Sequence, residues 1–112
     1  MMKQGVQSGT AKALAGLPFS NISAGKTGTT SKGKDTWFTG YTPNMTTVVW
    51  IGFDQNLPTT LTGASGAVPI WGNYMKVAAP RYSSEDFNWP EGVESEEFEF
   101  SGLKEKVKLI VE

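Results

Sequence analysis

Residues 23–29, Ser-Ala-Gly-Lys-Thr-Gly-Thr, set one lysine between two glycines and flank the second glycine with threonines. Two chemistries use such a set. A phosphate cradle needs Gly-x-x-x-x-Gly-Lys-[Ser/Thr] after an apolar strand, with a helix following whose N-terminus faces the anion. Here the first glycine position is Ser20, the preceding Leu17-Pro18-Phe19-Ser20 is not a buried strand, and Gly28-Thr29-Thr30-Ser31 forms helices poorly. The phosphate reading fails on all three counts. A carboxylate clamp needs less. Lys26 offers a compact positive charge, Thr27 and Thr29 offer hydroxyl donors, and Gly28 has no Cβ to hold a ligand off. If these residues form a strand, an extended substrate can exchange backbone hydrogen bonds with its edge. Lys26, Thr27, Gly28 and Thr29 are therefore the candidate substrate-binding residues.

What the chain lacks narrows the chemistry further. It has no cysteine and no histidine. Thiolate catalysis, disulfide staples and the most versatile general base are absent from these residues. Acid–base work falls to lysine, tyrosine or carboxylates, and no metal or cofactor is expected. The net charge of −1 is unevenly spread: residues 1–80 carry six lysines against Asp35 and Asp54, while residues 81–112 carry four basic and nine acidic side chains. A mildly basic body beside an acidic tail argues against nucleic acid as a partner. No apolar run approaches the ~20 residues of a membrane helix.

The elements that must position Lys26 follow from local signals. Residues 1–15 read as one short helix or two, with Met2 and Val6 spaced i,i+4 and Ser8-Gly9 as a stop where Gly9 is free to take positive φ. Gly16 to Pro18 breaks this region. Residues 21–29, Thr36 to Tyr41 and Thr46 to Phe53 read as strands, joined by a loop at 30–34 and a Thr42-Pro43-Asn44-Met45 turn, which gives a three-stranded antiparallel meander. Residues 56–67 read as a loop. A second helix is predicted from Val68, with Pro69 in its first turn, an apolar stripe of Ile70, Trp71, Tyr74, Met75 and Ala78, and Pro80 as its end. Glu97 to Phe100 and Lys104 to Val111 alternate like edge strands. Trp50 and Phe53 are expected in the core. Alternate residues of Thr36 to Tyr41 should pack the sheet, and Asp35 should serve a turn. The class is α/β (α+β), an antiparallel sheet with packed helices. The sheet is thin enough to continue in residues outside this chain.

Three stretches, "AGKTGTT", "DTWFTGYTP" and "TTVVWIGFD", resemble the region from the Lys-Thr-Gly strand onward in the transpeptidase domain of class A, bifunctional penicillin-binding proteins. "MKQGVQSGTAKAL" resembles the helix that leads into that strand, and "FNWPEGV" a segment near the domain's end. The resemblance covers most of the 112 residues. It implies the penicillin-binding protein/β-lactamase-like fold, of which only the C-terminal portion is present: residues 1–80 its helix, strands and C-terminal helix, residues 81–112 an acidic extension of the same domain. It implies D,D-transpeptidation by serine acyl transfer, with a D-Ala-D-Ala stem peptide of peptidoglycan or a β-lactam as ligand. Lys26 and Thr29 are then the catalytic candidates: Lys26 within the network around the nucleophile, Thr29 through a backbone N–H forming half of an oxyanion hole. Thr27 and Thr29 would bind the ligand's carboxylate. Localisation at the extracytoplasmic face of the bacterial membrane, through an upstream anchor absent from this chain, is implied as well.

One departure matters. The family needs Ser-x-x-Lys on a helix and Ser-x-Asn. The residues two before the five asparagines are Phe19, Thr42, Asp54, Trp71 and Asp86, so Ser-x-Asn is missing. Ser-x-x-Lys occurs at Ser23–Lys26 and Ser31–Lys34, in a strand and a glycine-bearing loop, where i and i+3 do not share a helical face. The expectation is that an upstream part of the domain carries the nucleophile and is this chain's partner. The chain alone should be inactive. A β-lactamase or D,D-carboxypeptidase on the same fold, and a non-enzymatic β-rich binding module, stand as alternatives.

Overall fold

The computed structural model describes residues 2–82, 85–100 and 103–110. A short helix, α1 (Met2–Gln7), leads through 3-10 turns at Lys12–Leu14 and Ser20–Ile22 into strand β1 (Ala24–Thr29). Strands β2 (Thr36–Thr42) and β3 (Met45–Ile51) complete a three-stranded antiparallel sheet in the order β1-β2-β3. Helix α2 (Val68–Tyr82) follows a loop, and β4 (Val93–Phe100) and β5 (Leu103–Ile110) form a separate two-stranded sheet. The meander and both helical regions stand where the sequence puts them.

Several boundaries differ, each for a local reason. Residues 20–22 are a turn rather than the start of β1, because buried Ser23 donates its hydroxyl to the Phe19 carbonyl (2.7 Å) and closes the loop on itself. β3 stops at Ile51, and Phe53 instead accepts from the Asn56 N–H at 2.9 Å in a turn where Asn56 has a φ of 57°. Gly9 does not take positive φ. A Cβ there would stand 2.8 Å from the Gly5 Cα, so it serves close packing of the chain against α1. Pro80 lies inside α2, in its last turn, where its missing N–H forgoes one helical bond and the helix still reaches Tyr82. The tail strands pair with each other, Val93 opposite Ile110 through Phe100 opposite Leu103, and do not extend the main sheet.

The core lies between one face of the sheet and α2. Along β2, burial alternates strictly: Thr36, Phe38, Gly40 and Thr42 point inward. Trp71 of α2 is fully buried and meets Phe38 edge-on at 5.2 Å and Phe19 at 5.9 Å, while its indole N–H donates to the Thr47 carbonyl (3.1 Å). Gly40 makes this possible, since a Cβ there would stand 2.4 Å from the Trp71 ring. The helix stripe is rotated from the expected one. Val68, Trp71, Gly72, Met75, Ala78 and Ala79 are buried, whereas Ile70 and Tyr74 are half exposed. The rotation brings Gly72 against Leu14, where a Cβ would stand 2.7 Å from Cδ2. The other sheet face is covered at its Tyr41 end, where the ring meets Phe87 edge-on at 5.7 Å, and is open elsewhere among the described residues. Trp37, Val48 and Trp50 are 42%, 52% and 46% exposed, and Phe53 is likewise outside, so the expected core role of Trp50 and Phe53 does not hold in this chain.

Candidate functional site

β1 is an edge strand. It pairs only with β2 among the described residues, in a register that sets Lys26 opposite Thr39, Thr27 opposite Phe38 and Gly28 opposite Trp37. In an antiparallel ladder each residue either gives both backbone groups to its neighbour or turns both away. The Gly25 carbonyl sits beside α1, 3.0 Å from where a Gly5 Cβ would stand, and so faces away from β2. By alternation Thr27 and Thr29 also turn their backbone groups to the open edge. Burial falls along the strand: Ala24 and Gly25 are buried, Thr27 and Gly28 intermediate, Lys26 and Thr29 exposed. The inner end of the strand is anchored and the outer end is presented.

All four sequence-derived residues lie at this outer end, Thr27 and Thr29 opposite the inward Phe38 and Thr36, Lys26 and Gly28 opposite the outward Thr39 and Trp37. Lys26 Nζ donates to the Thr27 carbonyl at 2.9 Å, which holds the ammonium against the edge with donors left over. Gly28 has space: a Cβ would meet nothing closer than the Trp37 Cβ at 3.4 Å. The Thr29 hydroxyl accepts from the Gly63 N–H at 3.1 Å. An N–H can only donate, so the Thr29 oxygen acts there as acceptor and its own proton is directed elsewhere. The Thr27 hydroxyl lies 3.0 Å from that of Thr10.

Thr10 and Gly63 were not legible as site neighbours. Gly63 opens a helical turn at Gly63–Ala67 that runs into α2 through a region read as loop. Thr62 and Ser65 cap this turn reciprocally: the Thr62 hydroxyl accepts from Ser65 N (3.1 Å) and the Ser65 hydroxyl from Thr62 N (2.9 Å). That Thr-x-x-Ser spacing was the available signal. Gly63 must be glycine, because a Cβ would stand 2.8 Å from both the Thr27 Cβ and the Trp37 carbonyl.

The β1–β2 connection is pinned beside the site. The Asp35 carboxylate accepts from the Trp50 indole (3.1 Å) and the Thr30 hydroxyl (3.1 Å), and Asp35 N donates to that hydroxyl (2.9 Å). Asp35 thus has the turn role expected of it. Thr59 adds a strap from the following loop, giving both its N–H (2.8 Å) and its hydroxyl (2.6 Å) to the Gly33 carbonyl. Neither Ser-x-x-Lys spacing makes a catalytic pair. Ser23 is fully buried while Lys26 is exposed, and Ser31 begins a 3-10 turn containing Lys32 at a φ of 64°. No group of acidic residues among the described ones is disposed to hold a metal. No described helix is long and apolar enough to cross a membrane.

No protein-family model matches the chain. Individual proteins do. Penicillin-binding protein 1B of Vibrio cholerae is 46% identical over 92 residues, 82% of this chain and 12% of that protein. Penicillin-binding protein 1A of Neisseria gonorrhoeae is 40% identical over 109 residues, 96% of this chain and 13% of that protein. Penicillin-binding protein 1A of Aquifex aeolicus is 42% identical over 92 residues. The chain spans about an eighth of the length of the curated relatives it matches. Among solved structures, penicillin-binding protein 1A from Haemophilus influenzae superposes with a TM-score of 0.79 at 27% identity, over 97% of this chain and 19% of that one.

Proposed function

Since the chain belongs to the class A penicillin-binding proteins, as a C-terminal part of their transpeptidase domain, we propose that it supplies the carboxylate-binding edge of a serine D,D-transpeptidase site. The observation that carries this reading is the outer end of β1. There Lys26, the Thr27 and Thr29 hydroxyls and an open glycine lie along one open edge, where Lys26 occupies the Thr27 carbonyl and the Thr29 N–H is turned to the open side.

A stem peptide ending in D-Ala-D-Ala, or a β-lactam, would lie along this edge, its carboxylate met by the threonine hydroxyls and the Lys26 charge. A serine from the upstream part of the domain attacks the scissile carbonyl. Negative charge develops on the carbonyl oxygen, and the Thr29 N–H, turned to the open edge, is one of the two donors that stabilise it. D-alanine leaves, a serine ester forms, and the amine of a second stem peptide takes the acyl group. In β-lactams the leaving amine stays tethered, so the ester persists. Ser23, buried and donating to the Phe19 carbonyl, is no candidate for that nucleophile.

The upstream part is also the partner that would cover the half-exposed Trp37, Val48 and Trp50 on the outer sheet face. Residues 81–112 belong to the same domain as an acidic extension, and the whole lies outside the cytoplasmic membrane, where peptidoglycan is cross-linked. The test is mass spectrometry after exposure to penicillin. The isolated chain should acquire no covalent adduct, and the complete domain should acquire one on a serine upstream of residue 1. A stable acyl-serine on the isolated chain would sink the proposal. So would a Lys26→Ala domain that acylates at the parent rate, where a loss of at least about tenfold is expected from a charge-assisted hydrogen bond.

A further inference from the structure

The Thr27 hydroxyl has a neighbour that the strand itself does not supply. Thr10 lies in the link between α1 and the Lys12–Leu14 turn, 17 residues away in sequence, and its hydroxyl is 3.0 Å from that of Thr27. The link is held firmly. Ala11 is buried and donates its N–H to the Gly5 carbonyl (3.0 Å), Lys12 donates to the Gly9 carbonyl (3.1 Å), and Gly9 packs so closely on α1 that a Cβ would strike the Gly5 Cα. Thr10 is thus set against the site strand by packing on both sides of it, while its own side chain stays exposed.

We infer that Thr10 is a positioning residue for the carboxylate clamp: its hydroxyl donates to the Thr27 oxygen and leaves the Thr27 proton directed at the ligand. A hydroxyl carries one proton and two lone pairs. With a donor on its oxygen, the Thr27 O–H has no reason to turn back toward Thr10, and hydrogen bonds in such a chain polarise one another in the direction of the final acceptor. A carboxylate on the open edge is the acceptor that completes the chain. The same arrangement holds on the far side of Gly28, where the Gly63 N–H occupies the Thr29 oxygen. Both hydroxyls of the clamp are then oriented as donors by groups from outside β1, one from before the strand and one from after the sheet.

The inference rests on the carboxylate-clamp reading, so its test separates the two. In the complete domain, acylation rate constants are measured for benzylpenicillin and for its methyl ester, which lacks the carboxylate charge. Thr10→Val, which removes the hydroxyl and keeps the shape, should slow acylation by benzylpenicillin about three- to tenfold and leave the ester's rate unchanged. Thr10→Ser should recover the parent rate to within about twofold. Thr27→Val is the reference and should lower the same ratio at least as much. If Thr27→Val shifts the ratio and Thr10→Val does not, the positioning role is wrong and the clamp stands. If Thr10→Val slows both compounds equally, or Thr10→Ser fails to restore the rate, Thr10 is structural. If Thr27→Val leaves the ratio untouched, the clamp fails and the inference goes with it.

Discussion

Gly25 and Gly28 lie three residues apart on one strand and should respond oppositely to a side chain. A Cβ at Gly25 would stand 2.5 Å from the Phe38 Cζ and 2.9 Å from the Thr39 carbonyl. Phe38 cannot yield: it is fully buried and set edge-on against Trp71, which is itself fixed by its bond to Thr47. Gly25→Ala should therefore destabilise the complete domain by about 1–3 kcal/mol, the range for overpacking a filled core. At Gly28 the nearest atom to a new Cβ is the Trp37 Cβ at 3.4 Å, an ordinary contact beside a half-exposed indole. Gly28→Val should change stability by no more than about 0.5 kcal/mol, valine being a good strand former. Its effect belongs to binding, because the isopropyl group stands where the ligand must approach. Acylation by penicillin should slow at least about tenfold, equivalent to ~1.4 kcal/mol of transition-state binding. Urea unfolding and acylation kinetics on the same two variants decide the matter. Equal destabilisation by both substitutions would refute the open edge. Parent-rate acylation by Gly28→Val would refute the placement of the ligand.

Four further outcomes are expected. Thr36 Oγ1 is buried without a hydrogen-bond partner among the described residues, so the near-isosteric Thr36→Val should raise stability by about 1 kcal/mol in urea unfolding, and a loss would show that the hydroxyl is satisfied in solution. Asp35→Ala removes the acceptor of the Trp50 indole and the Thr30 hydroxyl; it should cost about 1 kcal/mol and alter Trp50 emission, and an unchanged spectrum would argue against the pin. The hydrogen bond from Lys3 to Asp86 (2.8 Å) holds that carboxyl below its ordinary value; a depressed folded pKa stabilises above the unfolded value of about 3.9 and loses this as pH falls through the folded one, so the stability gap between the parent and Lys3→Met should be present at pH 6 and close on acidification, remaining small because both side chains are well solvated. The isolated chain, with Trp37, Val48 and Trp50 half exposed, should melt with poor cooperativity, and a sharp two-state transition would count against a missing covering part.

What was readable without coordinates was whatever is encoded within a few residues. Alternation of β-formers over 36–41 and 46–53, separated by Pro43-Asn44, specified two paired strands. The turn signal fits the observed pairing of Thr42 with Met45, but which face of the strand turns inward, that of Phe38 rather than Trp37, is decided by packing. The Lys26–Thr29 set could be recognised because its chemistry is contiguous and because the flanking stretches resemble one family. The errors share a different origin. Spacing alone cannot fix the stripe on α2, since Ile70-Trp71 and Tyr74-Met75 satisfy helical spacing equally well on either side of the true line. Only the fit of Gly72 against Leu14 and of Trp71 over Gly40 fixes the rotation that exposes Ile70 and Tyr74. Hydrophobicity alone puts Trp50 and Phe53 in a core, yet burial depends on what lies across the sheet, and the described cover on that face, Phe87 against Tyr41, leaves Trp50 and Phe53 about half exposed.

The sequence by itself determined the meander, the second helix and the family, and it singled out Lys26 to Thr29 as clamp candidates, because strand alternation, turn dipeptides and a contiguous motif are local facts. The tertiary structure alone decided that β1 is the open edge, that its Thr27 and Thr29 hydroxyls meet Thr10 and Gly63, and that β4 and β5 close on each other rather than on the main sheet. These are contacts across 17 and 34 residues, and a choice between pairings that share the same alternating pattern. Local periodicity gives each strand two faces and two edges without saying which neighbour takes which. That assignment comes from packing, where glycines at 25, 40, 63 and 72 admit one arrangement of strand, ring and helix and exclude the rest.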